Sequence, residues 1–150
     1  LVVILAAIAV GILQRFGTVE ELQAHLLTHG QQGHVEVVDL GLVLRASMGA
    51  AVRIPVIEAG AMPDAITQLR AKGITCLAAA LYKSQPLSAA QASYPGGVCV
   101  VIGSEGQGIS GPVRAAATHH LALPMRGGAE SLNAAVAAGI MIYEMAREQP

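Results

Sequence analysis

Short unbroken apolar runs alternate with helix-spaced stripes along this chain, the pattern of an α/β domain with a mainly parallel sheet and flanking helices. Thr18-Val19-Glu20-Glu21 has the spacing of a capping box, Leu22 and Leu26 follow four apart, and Gly30 supplies a stop, so a helix is expected over 18–30. Residues 35–38 read as a strand, and 54–57 as an extended piece whose Pro55 suits an edge or strand end. Pro63 at a first-turn position, Asp64 beside it and Gly73 after Lys72 delimit a helix over 63–72. A buried strand is expected over 74–80, and another over Val98–Ile102, five apolar residues running straight into a glycine-rich turn.

Beyond that turn the pattern predicts a short helix over 112–118, a short strand over 121–123 and a last helix over 131–147. Leu132, Val136, Ile140 and Tyr143 form the apolar stripe of the last helix, and Ala134, Ala135, Ala137, Ala138 and Gly139 make it slim. A slim helix lets another backbone approach closely, so this one is expected to pack hard against the sheet or a partner subunit.

Composition narrows the class. The 150 residues fit a single domain, and 53% hydrophobic with 13% charged residues excludes disorder. Mean hydropathy is +0.55. The one candidate span is the opening run from Leu1 to Leu13, shorter than the roughly 20 residues a membrane helix needs, and it reads as buried strand or helix with no membrane association expected. With no Trp, Phe16 as the one Phe and three Tyr, the core must be aliphatic. A net charge of −1 gives no basic footprint for nucleic acid. Cys76 and Cys99 sit in apolar runs and read as reduced core thiols of a cytoplasmic protein. His25 and His29 lie four apart with no third ligand in view, and His119 and His120 would point opposite ways in a strand, so no metal site is expected.

Two segments carry candidate chemistry. Gly103-Ser104-Glu105-Gly106-Gln107-Gly108 follows the best strand, where ligands of open α/β sheets bind, and its glycines permit close backbone approach. The spacing is neither a dinucleotide fingerprint nor a phosphate loop, and Glu105 would repel a phosphate, so the segment is either a plain tight turn or a site for a neutral or cationic ligand. The second segment, Leu123-Pro124-Met125-Arg126-Gly127-Gly128-Ala129-Glu130-Ser131-Leu132-Asn133, leaves a short strand through a Gly-Gly loop into a helix. Ser131 reads as its cap, which leaves Asn133 without a capping purpose. Two glycine loops at the ends of two successive strands would form one crevice.

These segments resemble the second and third motifs of the SpoU branch of the SPOUT superfamily, and Arg45-Ala46-Ser47-Met48-Gly49-Ala50 with Ile54-Pro55-Val56 resembles the stretch ahead of that family's central strands. The likeness runs from about residue 42 to 146. It implies an S-adenosylmethionine-dependent RNA ribose 2′-O-methyltransferase acting on rRNA or tRNA, working as a homodimer, with a C-terminal trefoil knot that holds the methyl donor. On this chain the resemblance places the donor among Ala80, Ile102, Gly103, Glu105, Gly108, Leu123, Met125, Ser131, Leu132 and Asn133. It assigns Glu105 and Asn133 to the reaction centre, while Arg45 and Arg126 are either contacts to RNA phosphates, which suit arginine's bidentate fork, or isolated surface arginines. Replacing Gly103 by Val is then expected to block the donor and spare the fold.

Residues 1–41 depart from the family pattern. Its first motif carries an Asn, a Gly and an Arg ahead of Phe-Gly, and here Gly11-Ile12-Leu13-Gln14-Arg15-Phe16-Gly17 is its one echo. That makes Arg15 the candidate for the family's arginine, which helps activate the ribose hydroxyl. The departure also leaves open a knotted, donor-binding module with little or no turnover. An unrelated small-molecule enzyme with a generic glycine-loop crevice is the third reading.

Overall fold

The computed structural model describes residues 4–7, 48, 61–80, 85–86, 94, 97–104, 107–125 and 131–147. The expected elements at 18–30, 35–38 and 54–57 lie outside the described residues.

Among the described residues, five strands form one sheet in the order β1-β4-β2-β5-β3. They are β1 (Ile4–Ala7), β2 (Thr75–Ala79), β3 (Gln85–Pro86), β4 (Val98–Ile102) and β5 (His119–Ala122). β4, β2, β5 and β3 run parallel, and β1 adds to the β4 edge antiparallel, with Ile4 opposite Ile102. The opening apolar run thus contains a strand. β3 was not legible in the sequence, since a two-residue strand shows no period. β2 and β3 are joined through residues 80–84, yet β5, which comes later in the chain, lies between them.

Alternation along the central strands makes two cores. Cys76, Cys99 and Val101 face α1 (Met62–Ala71) and α2 (Gly111–Ala116), packing against Ala65, Ile66, Leu69 and Val113. Leu77, Val98, Val100, Ile102 and Leu121 face the other way, against Ala138, Met141 and Met145 of α3 (Ala134–Arg147). Every residue of β4 is buried, as expected of a strand covered on both faces.

α1 obeys its sequence signals closely. Pro63 occupies the first turn with Asp64 beside it, where a carboxylate faces the positive end of the helix. The helix stops at Gly73, whose φ of 79° lies in the left-handed region. Gly73 N–H donates to the Arg70 carbonyl at 2.9 Å and Ile74 N–H to that of Leu69 at 3.1 Å, the paired bonds of a Schellman stop. Leu69 and Ile74 are buried in one cluster, supplying the apolar contact that accompanies such a stop.

Three expectations change. β5 begins at His119, two residues earlier than expected, because Thr118 docks on β2: its N–H donates to the Cys76 carbonyl at 2.8 Å and its Oγ1 accepts the Cys76 N–H at 3.1 Å. α3 begins at Ala134, three residues later than expected. Its buried residues are Ala138, Met141 and Met145, while Leu132, Val136, Ile140 and Tyr143 are solvent-exposed. α3 is apolar almost all round, so periodicity could not choose its inner face. No helix among the described residues is long and apolar enough to cross a membrane.

Candidate active site at the carboxyl edge of the sheet

Parallel pairing brings the carboxyl ends of the strands to one edge. Ala78 is level with Val101, and Ala79 with Leu121, so Ala80 and Gly103 leave β2 and β4 level with each other and Leu123 leaves β5 one residue further on. Ala80 is tied there by its N–H, which donates to the Leu121 carbonyl at 2.9 Å. Ile102 is buried, and Ala80, Gly103, Leu123 and Met125 are half-buried. Ala79, Ile102, Leu123 and Ala134 belong to one apolar cluster, which connects the strand ends to the start of α3. This edge is where an open α/β sheet takes its ligand.

The glycine turn closes on itself. Gly108 N–H donates to the Ser104 carbonyl at 2.9 Å, and the two residues form an isolated antiparallel bridge. Gly108 holds φ 65°. A Cβ at Gly103 would lie 2.2 Å from the carbonyl carbon of Gly108 and 2.6 Å from the amide nitrogen of Ile109. The space beside Gly103 is therefore filled by the loop's own backbone. A Gly103→Val chain would lose the turn itself, which corrects the expectation that this change spares the fold. The signal lay in the paired glycines at 103 and 108, whose mutual packing depends on a backbone path that spacing does not reveal.

Asn133 is the cap of α3. Its Oδ1 accepts the N–H of Ala135 at 2.9 Å and of Val136 at 3.4 Å, and its carbonyl accepts the N–H of Ala137 at 2.9 Å. This overturns the reading of Ser131 as the cap; the late start of the helix moves the capping position two residues on. Any part Asn133 takes in a reaction must coexist with that bond. Ser131 and Leu132 are exposed immediately ahead of it. The structure thus brings Ala80, Ile102, Gly103 and Leu123 together, with Met125 two residues beyond Leu123 and Gly108 closing the turn. Glu105, Arg126, Arg15 and Arg45 lie outside the described residues.

His120 and His119 diverge as expected. The His120 ring Nε2 lies 2.8 Å from the Arg114 carbonyl on the α2 side, while His119 is exposed. Arg70 Nη1 donates to the Ala116 carbonyl at 2.7 Å, so both groups serve the end of α2.

A mainly parallel sheet with flanking helices, and a glycine turn and a helix start gathered at its carboxyl edge, defines an α/β domain with one candidate ligand edge. The SpoU rRNA methylase family matches residues 18–143, and the chain belongs to that family. It is 36% identical over 107 residues to an uncharacterized tRNA/rRNA methyltransferase of Synechocystis sp., covering 71% of this chain and 38% of the relative. It is 37% identical over 105 residues to one of Mycobacterium avium, covering 70% and 33%. The chain thus spans well under half the length of these relatives. Among solved structures, an AdoMet-bound rRNA methyltransferase from Sinorhizobium meliloti superposes with a TM-score of 0.62 at 33% identity, over 69% of this chain and 39% of that one. The A. aeolicus TrmH/SpoU tRNA modifying enzyme gives 0.63 over 81% and 57%, and at 24% identity supports the fold.

Proposed function

We propose that this chain is the methyl-transfer domain of an S-adenosylmethionine-dependent RNA 2′-O-methyltransferase acting on a ribose of rRNA or tRNA. The observation that carries the reading is the meeting of Ala80, Gly103 and Leu123 at one sheet edge, in a chain whose family includes a structure with AdoMet bound. The residues there suit that donor. Backbone groups of strand ends and the Ser104–Gly108 turn would hold its polar parts, and half-buried Leu123 and Met125 with buried Ile102 would pack its adenine. When bound, S-adenosylmethionine supplies a methyl group on a positively charged sulfur, already activated toward nucleophiles.

The chain's task is then positioning. A ribose hydroxyl is a poor nucleophile, and holding it in line with the reacting carbon contributes up to roughly 7–11 kcal/mol in favourable systems. Glu105 and Asn133 would orient the reacting groups, and Arg15, or an arginine of a second copy, would steady the hydroxyl as its proton leaves. Arg45 and Arg126 would grip RNA phosphates through their planar guanidinium forks.

Two finer features belong to this proposal. The insertion of β5 between β2 and β3, joined through residues 80–84, supports a threaded C-terminal knot. The exposed apolar side of α3, with Val136 at 51% and Tyr143 at 66% exposure, supports a homodimer. An RNA substrate and two free thiols support a cytoplasmic setting.

Gly11–Gly17, the one echo of the family's first motif, lies ahead of the matched residues 18–143 and favours a second reading, a donor-binding domain with little turnover. Two measurements separate them: S-adenosylmethionine binding by calorimetry, and transfer of labelled methyl to rRNA or tRNA. Binding with transfer to a ribose oxygen establishes the enzyme, and binding without transfer establishes the second reading. Absence of binding overturns both.

A further inference from the structure

Cys76 and Cys99, which the proposed reaction does not use, stand directly opposite each other on β2 and β4. Both are free thiols with no solvent exposure. Both point to the α1 side, into the cluster with Ile66 and Leu69. Neighbouring strands lie about 4.8 Å apart, and disulfides span Cα separations of about 4.4–6.8 Å. The pair therefore meets the first geometric requirement for a bond without any shift of register.

The two thiols are also unlike each other. A hydrogen bond from Cys99, helped by the positive charge of Arg70, holds Cys76 below the ordinary thiol range despite burial. The same hydrogen bond and burial hold Cys99 well above that range. Arg70, whose charge acts on Cys76 and not on Cys99, makes Cys76 the sulfur suited to react first.

We propose that Cys76 and Cys99 form a covalent modification site, a core dithiol that hydrogen peroxide oxidises to an intrachain disulfide joining β2 to β4. The Cys76 thiolate attacks one peroxide oxygen and the O–O bond breaks. The sulfur keeps that oxygen as a sulfenic acid, and the other oxygen leaves as water with the proton Cys76 gave up. The Cys99 sulfur then attacks the Cys76 sulfur; the S–S bond forms, the S–O bond breaks, and the hydroxyl leaves as water with the Cys99 proton. Two thiols and one peroxide give one disulfide and two waters, with both electrons taken from sulfur.

α1 gates the reaction. Ile66 and Leu69 cover the thiols, and Arg70 ties the helix to the end of α2, so the oxidant enters when α1 lifts. The bond would brace the two strands that deliver Ala80 and Gly103 to the sheet edge, each four residues further along its strand. Neither step depends on methyl transfer.

The test is graded hydrogen peroxide on the full chain, followed by denaturation, alkylation, intact mass and peptide mapping. Met48, 95% exposed, reports through its sulfoxide that the oxidant has acted. The expected result is a loss of two hydrogens, a cross-linked peptide pair holding positions 76 and 99, and full reversal by dithiothreitol. Cys76→Ser and Cys99→Ser should each abolish the cross-link, and Leu69→Ala should speed its formation. The unmodified chain alone decides the matter should a serine variant fail to fold. Complete oxidation of Met48 with both cysteines still alkylated overturns the proposal, as does their conversion to sulfinic or sulfonic acid without the cross-link.

Discussion

α1 covers one face of β2 and β4 with Ala65, Ile66 and Leu69, and α3 covers the other with Ala138, Met141 and Met145. Outward from the sheet the two helices differ. α1 shows solvent Asp64, Thr67 and Arg70, whereas α3 shows it Val136, Ile140 and Tyr143. They are also secured at opposite ends. α1 has no side-chain cap at Ala61 and a Schellman stop at Gly73, while α3 has the Asn133 cap at its start. α1 is a finished amphipathic helix whose apolar side is spent inside the chain. α3 keeps a second apolar side facing solvent, and the proposed homodimer rests on it.

The sharpest way to break this comparison is to trim one large side chain from each helix. Leu69→Ala should lower the unfolding free energy by about 2–5 kcal/mol, because it leaves a cavity in a closed core. Ile140→Ala should stay within about 0.5 kcal/mol, as surface changes do, when unfolding is measured below the concentration at which the chain associates. The same Ile140 variant should be monomeric by sedimentation where the parent is dimeric. An equally destabilised Ile140 variant with unchanged mass would mean that the outward side is covered within the chain.

The two helix ends give the next contrast. Gly73→Ala forces a Cβ into φ 79°, where L residues are strained, and should cost about 1–2 kcal/mol in denaturant unfolding. A change near zero would show that the Schellman stop contributes little to holding α1. At the other helix, Asn133→Ala should cost about 1 kcal/mol through loss of the cap, and Asn133→Asp should keep the cap. The pair also divides structure from chemistry at the site. If Asn133 acts in methyl transfer, the Asp variant keeps its stability and loses activity. If its work is capping alone, the Asp variant keeps both, and the proposed part in the reaction is lost.

What could be read in advance follows from the same contrast. β4 was legible because a run of only five apolar residues, ending in a glycine-rich turn, fits a strand covered on both faces. α1 was legible because Pro63, Asp64 and Gly73 each act within one turn of themselves. α3 was legible as a helix and illegible in its orientation, since apolar residues on every side leave the choice to packing against Val98, Val100 and Ile102. At the site, the strand-end position of Gly103 and Leu123 could be inferred from order along the chain. The capping by Asn133 and the self-closure at Gly103 could not, because each turns on backbone geometry that a shift of two residues reassigns.

Gly139 gives the smallest effect and the finest test, because it should move two measurements in opposite directions. It sits in the interior of α3 on the exposed side, and a Cβ built there meets no atom within 4 Å. Within one chain, Gly139→Ala should therefore stabilise the helix by up to about 1 kcal/mol, since alanine restricts the unfolded backbone and favours helix. Between chains the same methyl works against association. Ala135 and Gly139 are one turn apart on the side that carries Val136 and Ile140, so they mark where a second helix would approach most closely. A methyl group in that seam pushes the two backbones apart and should weaken the dimer. Unfolding at low concentration and sedimentation at high concentration, on the same preparation, separate the two effects. A more stable chain with an equally tight dimer would place the seam away from Gly139, and a chain of unchanged stability would show that its glycine is not exposed in the way the open face of α3 requires.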